Sequence, residues 1–201
     1  MTFKNIKTIL VWFVGIIATP TIAQTTTVSG NVQTAFGAPA TNVEIMLAGD
    51  NFTQSTTVDS DGNYEFTNVP INQTFSLDVV KEDNAVNGVS TFDLVIGAQH
   101  ILGVRAFDNN AAFVAMDANG SGNVTAFDLI QIRRLVLGIT SEFPNSPAWR
   151  IIPTEAFEDA DFIRNEQNEF PSMESFETSN DPTIINFTAI KIGDANGNAL
   201  P

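Results

Sequence analysis

Residues 117–139, DANGSGNVTAFDLIQIRRLVLGI, decide how the rest of the chain is read. Oxygen-bearing side chains fall at positions 1, 3, 5, 9 and 12 of a twelve-residue loop: Asp117, Asn119, Ser121, Thr125 and Asp128. Gly122 stands at position 6, where a loop wrapping a cation must turn sharply. Asn123 at position 7 offers its main-chain carbonyl, and Val124 at position 8 points inward as an anchor. Calcium is a hard cation that takes six to eight oxygens from a flexible wrap of this kind. A helix is expected directly afterwards, with Leu129, Ile132, Val136 and Leu137 along one apolar face.

The pattern repeats. A shift of 35 residues sets 89–95 (VSTFDLV) on 124–130 (VTAFDLI), and 101–104 (ILGV) on 136–139 (VLGI). In the earlier copy Asp93 keeps position 12, but Glu82 falls at position 1, Asn84 at 3, Val86 at 5 and Asn87 at 6, with Gly88 one place late. A valine cannot ligate a cation, so this loop is expected to be weak or empty by itself. Near the C-terminus Asp194-Ala195-Asn196-Gly197-Asn198 copies Asp117-Ala118-Asn119-Gly120-Ser121 and supplies positions 1, 3 and 5 without a position 12. This half-loop is expected to fold against the earlier copy and share a second cation with Asp93. The alternative is a polar tail whose Asn-Gly pair makes a turn and binds nothing.

A calcium loop followed by a helix, with no helix in front, is similar to one half of a type I dockerin. Asp128 at position 12 and the closing Leu137-Gly138-Ile139 belong to the same likeness. Dockerins contain two such segments related by a pseudo-two-fold axis, as the internal repeat here suggests. The resemblance implies Ca2+ as the bound ion and a cohesin-like or other extracellular protein as partner. Recognition would use loop positions 10 and 11, which are Thr91 and Phe92 in one copy and Ala126 and Phe127 in the other, together with Arg133 and Arg134. The family's usual small hydroxyl pair is absent, so Phe92 and Phe127 either fill core or meet a partner. The motifs EFPNSPAWR and AIKIGDANGN resemble dockerin-like C-terminal modules of large secreted proteins in the Bacteroidetes, over residues 86–198.

Outward from the loops, residues 1–23 have the order of a secretory signal peptide: basic Lys4 and Lys7, an apolar stretch from Ile9 to Ile17, and small Thr21-Ile22-Ala23. Cleavage is expected between Ala23 and Gln24, an uncleaved anchor being the alternative. No later stretch is long and apolar enough to span a bilayer. The chain carries 23 acidic and 9 basic residues, −14 in all; without Lys4 and Lys7 the balance is −16. So negative a surface argues against nucleic acid and anionic membranes. It suits an exported protein, secreted or held at the cell surface. Without cysteine there are no disulfides, zinc-thiolate sites or thiol catalysis.

Residues 24–80 read as short strands. Val43, Ile45 and Leu47 alternate with Glu44 and Met46, Tyr64 and Phe66 alternate inward, and Phe75, Leu77 and Val79 make the last strand. Asp59-Ser60-Asp61-Gly62-Asn63 reads as a hairpin turn rather than a further calcium site. The run SGNV…GAPATNVEIML…TTVDSDGNYEFTNVP…TFSLDVV resembles the carboxypeptidase regulatory-like, transthyretin-like β-sandwich. That resemblance implies a non-catalytic spacer, and some sandwiches of the shape bind carbohydrate. Tyr64 and Phe66 are expected in the core rather than on a sugar platform.

The expected fold class is therefore α+β in two domains: a small antiparallel sandwich over 24–80, then loop-helix repeats over 81–140. The repeat helices are expected over 91–102, burying Leu94, Ala98, Ile101 and Leu102, and over 126–137, with a short helical turn near 111–114 between them. Residues 141–183 are expected to form an acidic extension with one strand around Trp149, whose ring is expected beneath the second helix, with stacking on a sugar as the alternative. Residues 184–201 would complete the helical domain. His100, the lone histidine, is expected at a surface or boundary, and no nucleophile-base pair stands out. Two functions follow: a secreted, non-catalytic docking or assembly module, or a carbohydrate-binding accessory to polysaccharide degradation.

Overall fold

A computed structural model describes residues 24–158 and 175–201. The expected signal peptide and the middle of the acidic extension lie outside the described residues. The first half runs β1 (Thr25–Thr34), β2 (Glu44–Gly49), β3 (Phe52–Thr57), β4 (Asn63–Pro70) and β5 (Thr74–Val80). Helices α1 (Thr91–Ile101), α2 (Asn110–Met116) and α3 (Ala126–Val136) follow. The chain ends with β6 (Trp149–Pro153), α4 (Thr154–Glu158), β7 (Phe176–Glu177), β8 (Thr183–Ile184) and β9 (Phe187–Lys191). The class is mixed α+β.

The strands make two sheets, β4-β1-β9-β6 with β8 also on β1, and β3-β2-β5-β7. Alternation along each strand sets the faces. In β2, Ile45 and Leu47 are buried while Glu44 and Met46 are exposed; in β4, Tyr64 and Phe66 point in while Asn63, Glu65 and Thr67 face out. The inward residues join Val28, Val32, Val43 and Phe75 in one core. Each large apolar side chain fully buried there is worth about 1.5–3 kcal/mol, which is how a cysteine-free sandwich holds. The 59–63 turn links strands of different sheets, so it is not the hairpin expected from its sequence. Asp59 accepts the amides of Asp61 and Asn63 at 2.9 and 2.8 Å, and Gly62 takes φ +80°.

The sandwich does not end at residue 80. Strand β9, buried at every position, lies between β1 and β6, parallel to the first and antiparallel to the second. Phe187 and Ala189 enter the sandwich core, and Ile190 packs with Val114 and Ala115 of α2. Residues 184–201 therefore serve both parts of the molecule, a correction to their assignment to the helical part alone. A strand covered on both faces needs an apolar run, which FTAIK supplies, but the run does not name its neighbours. Gly30 makes the join possible: a Cβ there would stand 1.7 Å from the Ile185 carbonyl oxygen. That oxygen accepts the Tyr64 hydroxyl at 2.7 Å.

Trp149 also departs from expectation. It lies in the sandwich core, 3% exposed, because it opens β6 and β6 follows β9 into the sheet.

The helices share a second core with Val89, Met116, Ile132, Leu135, Phe143 and Ile192. Gly97 lets α1 approach closely, since a Cβ there would lie 2.5 Å from Met116 Cε and 2.6 Å from Leu129 Cδ2. Leu94, Leu129 and Val136 line this core, but Ile101, Leu102 and Leu137 are exposed and Leu135 takes an inward place. Each helix has two apolar stripes, and the one turned inward carries the acidic residue, Asp93 or Asp128, which is fully buried.

Candidate metal centre

Two polar clusters of nearly the same design stand at the starts of α1 and α3. At α3, Thr125 is the N-cap, and Asp128 completes a capping box. Asp128 Oδ2 accepts the Thr125 amide and hydroxyl at 2.8 and 2.9 Å, while its Oδ1 accepts the Asn119 amide at 3.1 Å. Asp117 accepts the amides of Ser121 at 2.9 Å and Gly122 at 2.7 Å. The Ser121 amide is shared with Asn119 Oδ1, also at 2.9 Å, which sets a carboxylate oxygen and an amide oxygen side by side. Ser121 Oγ donates to the Asn123 carbonyl at 3.2 Å.

At α1 the same bonds form from distant parts of the chain. Ser90 is the N-cap, and its amide and hydroxyl donate to Asp93 Oδ2 at 2.8 and 2.9 Å. Asp93 Oδ1 accepts the Ala195 amide at 2.9 Å, across 102 residues of sequence. Asp194 accepts the amides of Asn198 at 3.3 Å and Ala199 at 2.7 Å, as Asp117 accepts those of Ser121 and Gly122. The Asn198 amide is again shared, with Asn196 Oδ1 at 3.1 Å. Gly120 and Gly197 both take φ +71°, a left-handed turn that a side chain would strain.

The structure thus brings Asp93, Asp194, Asn196 and Asn198 together, and Asp117, Asn119, Ser121, Asn123 and Asp128 together. Thr125 stands apart from the second group, its hydroxyl turned to Asp128 and to the Phe127 amide as a helix cap. The earlier loop residues Glu82, Asn84 and Asn87 do not join Asp93. Asn84 caps a local turn, Glu82 is exposed, and Asn87 clips the tail through the amide and carbonyl of Leu200 at 3.2 and 2.8 Å.

These donor sets fit a hard cation. Asp93, Asp117 and Asp128 are fully buried and Asp194 is 3% exposed. The Arg105–Asp108 ion pair, at 2.7 Å, lies at the surface and involves none of these four. A buried carboxylate without opposite charge costs several kcal/mol, and main-chain amides offset only part of that. No group of three or more His, Cys, Asp or Glu side chains gathers among the described residues. Each cluster instead mixes two carboxylates with side-chain amides, and the local one adds the Ser121 hydroxyl and the Asn123 carbonyl; oxygen sets of this kind suit a calcium ion. Burial pushes the Asp194 carboxyl up, against the pull of the Ala199 and Asn198 amides, and the nearby Asp93 charge adds to the rise.

Three buried or half-buried cations, two of them near the clusters, carry no spacing signal in the sequence. Arg150 Nη2 lies 3.2 Å from Ser146 Oγ, beside Gly120. Burial lowers its guanidinium to about 10, against the opposing pull of Asp117. Lys81 and Lys191 lie over the Trp149 ring, 5.3 and 5.7 Å from its centre. Burial brings Lys191 down to about 8, although Asp83 and Asp194 oppose the shift. Burial would raise Asp83, but bonds from Asn87 and from the Trp149 indole, at 2.7 and 2.9 Å, help hold it below the usual range.

Phe92 and Phe127 are 60% and 58% exposed, so neither fills core; Arg133 and Arg134 are also exposed. His100 stacks on Phe107 at 3.8 Å and accepts its amide through Nδ1 at 3.2 Å. Tyr64 and Trp149 are buried, so neither offers a ring face to a sugar.

Residues 27–104 match the family model of the carboxypeptidase regulatory-like domain, from β1 through α1. The sandwich portion of the chain is similar to that family. No curated protein matches the chain. Among solved structures, the C-terminal fragment of the pilus adhesin SpaC from Lactobacillus rhamnosus GG matches at 14% identity and a TM-score of 0.27. The match covers 30% of this chain and 24% of that one, so the chain spans about a quarter of its length. No helix among the described residues is long and apolar enough to cross a membrane.

Proposed function

We propose that this chain is a secreted, non-catalytic calcium-binding module that joins proteins at the cell surface or in the extracellular space. Its helical part is dockerin-like, and its partner is a cohesin-like or other extracellular protein. The observation that carries the reading is the double construction of one oxygen cluster, each copy burying two carboxylates at a helix start. One ion would be held by Asp117, Asn119, Ser121, the Asn123 carbonyl and Asp128, and another by Asp93, Asp194, Asn196 and Asn198. Bound calcium would add to the positive charge that Arg150 brings near Asp117 and Lys191 near Asp194. The capping residues Ser90 and Thr125 orient the helix carboxylates, and Gly120 and Gly197 bend the turns around them. Because the donors are scattered in the unfolded chain, ion binding adds directly to folding free energy.

Support for a non-catalytic role comes from His100, whose ring is spent on Phe107. Secretion is supported by the order of residues 1–23 alone. Sugar binding through the sandwich draws less support, because its Tyr64 and Phe66 rings are turned into the core. Melting curves in calcium and in chelator test the proposal. Calcium at 100 times its dissociation constant should raise stability by about 2.7 kcal/mol for each ion bound, and Asp117→Ala or Asp128→Ala should abolish the share of the ion at that cluster. One melting temperature with and without calcium would overturn it.

A further inference from the structure

An asparagine followed by glycine is open to a reaction of the chain with itself, because glycine has no Cβ to keep its nitrogen from the neighbouring side-chain carbonyl. The sequence has three such pairs: Asn87-Gly88, Asn119-Gly120 and Asn196-Gly197. None lies in a strand, and the last two hold matching places in the two clusters. All three glycines are left-handed, at φ +74°, +71° and +71°.

The bonds around the pairs differ. At Asn87 the carboxamide is held at both ends: its oxygen accepts the Leu200 amide, and its nitrogen donates to Asp83 and to the Leu200 carbonyl. At Asn119 the side-chain oxygen accepts the Ser121 amide at 2.9 Å, and the Gly120 amide donates to the main-chain carbonyl of Asp117 at 3.3 Å. At Asn196 the oxygen accepts the Asn198 amide at 3.1 Å, but the Gly197 amide donates to a carboxylate, Asp194 Oδ1, at 2.8 Å. Here the nitrogen faces a base, and the carbonyl beside it has a donor on its oxygen. A positioned base and a donor at the developing oxyanion are two working parts of an acyl-transfer site. A peptide carbonyl, which is all that Gly120 meets, is too weak a base for the task.

We propose that the tail turn converts its own Asn196 to aspartate and isoaspartate, with Asp194 as the proton acceptor. The Gly197 nitrogen bonds to Asn196 Cγ and gives its proton to Asp194. That proton passes to the side-chain nitrogen, the Cγ–Nδ2 bond breaks, and ammonia leaves behind a succinimide ring. Water then opens the ring at either carbonyl, giving aspartate or isoaspartate. Nothing is oxidised or reduced and no ion takes part, so the proposal stands apart from the calcium reading. Isoaspartate adds a methylene to the main chain between Asp194 and the Asn198 and Ala199 amides that it accepts. The join between the tail and α1 therefore ages.

Peptide mapping by mass spectrometry, on purified protein stored in chelator and sampled over time, tests it. In the folded chain Asn196 should react at least about tenfold faster than Asn119, within what a positioned base supplies. In denaturant the two rates should converge, since both residues sit in Ala-Asn-Gly. Asp194→Asn keeps an acceptor oxygen but takes no proton, and should bring Asn196 down to the rate of Asn119. Protein carrying isoaspartate should melt earlier than fresh protein. Equal rates in the folded chain, a gap that survives denaturant, an unmoved rate in Asp194→Asn, or an isoaspartate form that melts like fresh protein would each overturn the proposal. Should the variant fail to fold, the folded and denatured wild type still decide.

Discussion

The two clusters use the same bonds but are assembled in different ways. One comes from a local stretch, with Asp117 and Asp128 in a single loop; the other joins Asp93 to a turn 102 residues away in sequence. Closing the longer span from an open chain costs roughly 2 kcal/mol more, at about 0.6 kcal/mol for each doubling of length. In the folded protein β9 carries that cost, because its place between β1 and β6 already delivers the Asp194 turn to α1. The local cluster depends on its own loop and helix. The split one depends on the sandwich, and so reports whether both parts have folded together.

The largest expected effect follows from breaking that dependence. Gly30→Val would drive a side chain into the Ile185 carbonyl, separating β8 and β9 from β1. A loss of about 3 kcal/mol is expected, with the split cluster losing its ion and the local one keeping it; calcium titration of the variant checks this. Next, Asp128→Ala strands the Asn119 and Thr125 amides as well as removing a ligand. Chemical unfolding should show a loss of about 1–3 kcal/mol in chelator and a clearly larger one in calcium. Equal losses would make the residue a helix cap and nothing more.

A smaller effect comes from Lys191. Its folded value of about 8 lies below the ordinary 10.5 of the unfolded chain. The cost of burying its charge is fully present below about pH 8 and is relieved as pH rises, since the unfolded chain then holds the extra proton. The melting temperature should climb between pH 8 and 10, and Lys191→Met should flatten the climb. Smallest of all, Phe92→Ala and Phe127→Ala should each change unfolding free energy by less than about 0.5 kcal/mol, as exposed positions do. A larger loss at either residue would place it in a contact with the core.

The sandwich strands were legible because Ile45, Leu47, Tyr64 and Phe66 follow a two-residue period. The local loop was legible because its donors sit at fixed spacing. The inner helix faces were not, since the buried positions include Asp93 and Gly97, which no hydrophobic pattern selects. Asp93 is buried for its bonds, and Gly97 for the closeness it allows to Met116 and Leu129. The role of β9 was hidden for another reason: an apolar run reveals that a strand is buried but not which strands flank it. Cations such as Arg150 and Lys191 gain meaning only once the fold puts them near a carboxylate.

Calcium ions counted by calorimetry, on the chain from Gln24 and on the same chain ending at Ile192, separate a split cluster from a local one. Two ions should bind the first chain and one the second, with the remaining ion lost on Asp117→Ala. Equal counts for the two chains would contradict the split cluster, and no bound calcium in either would contradict the whole.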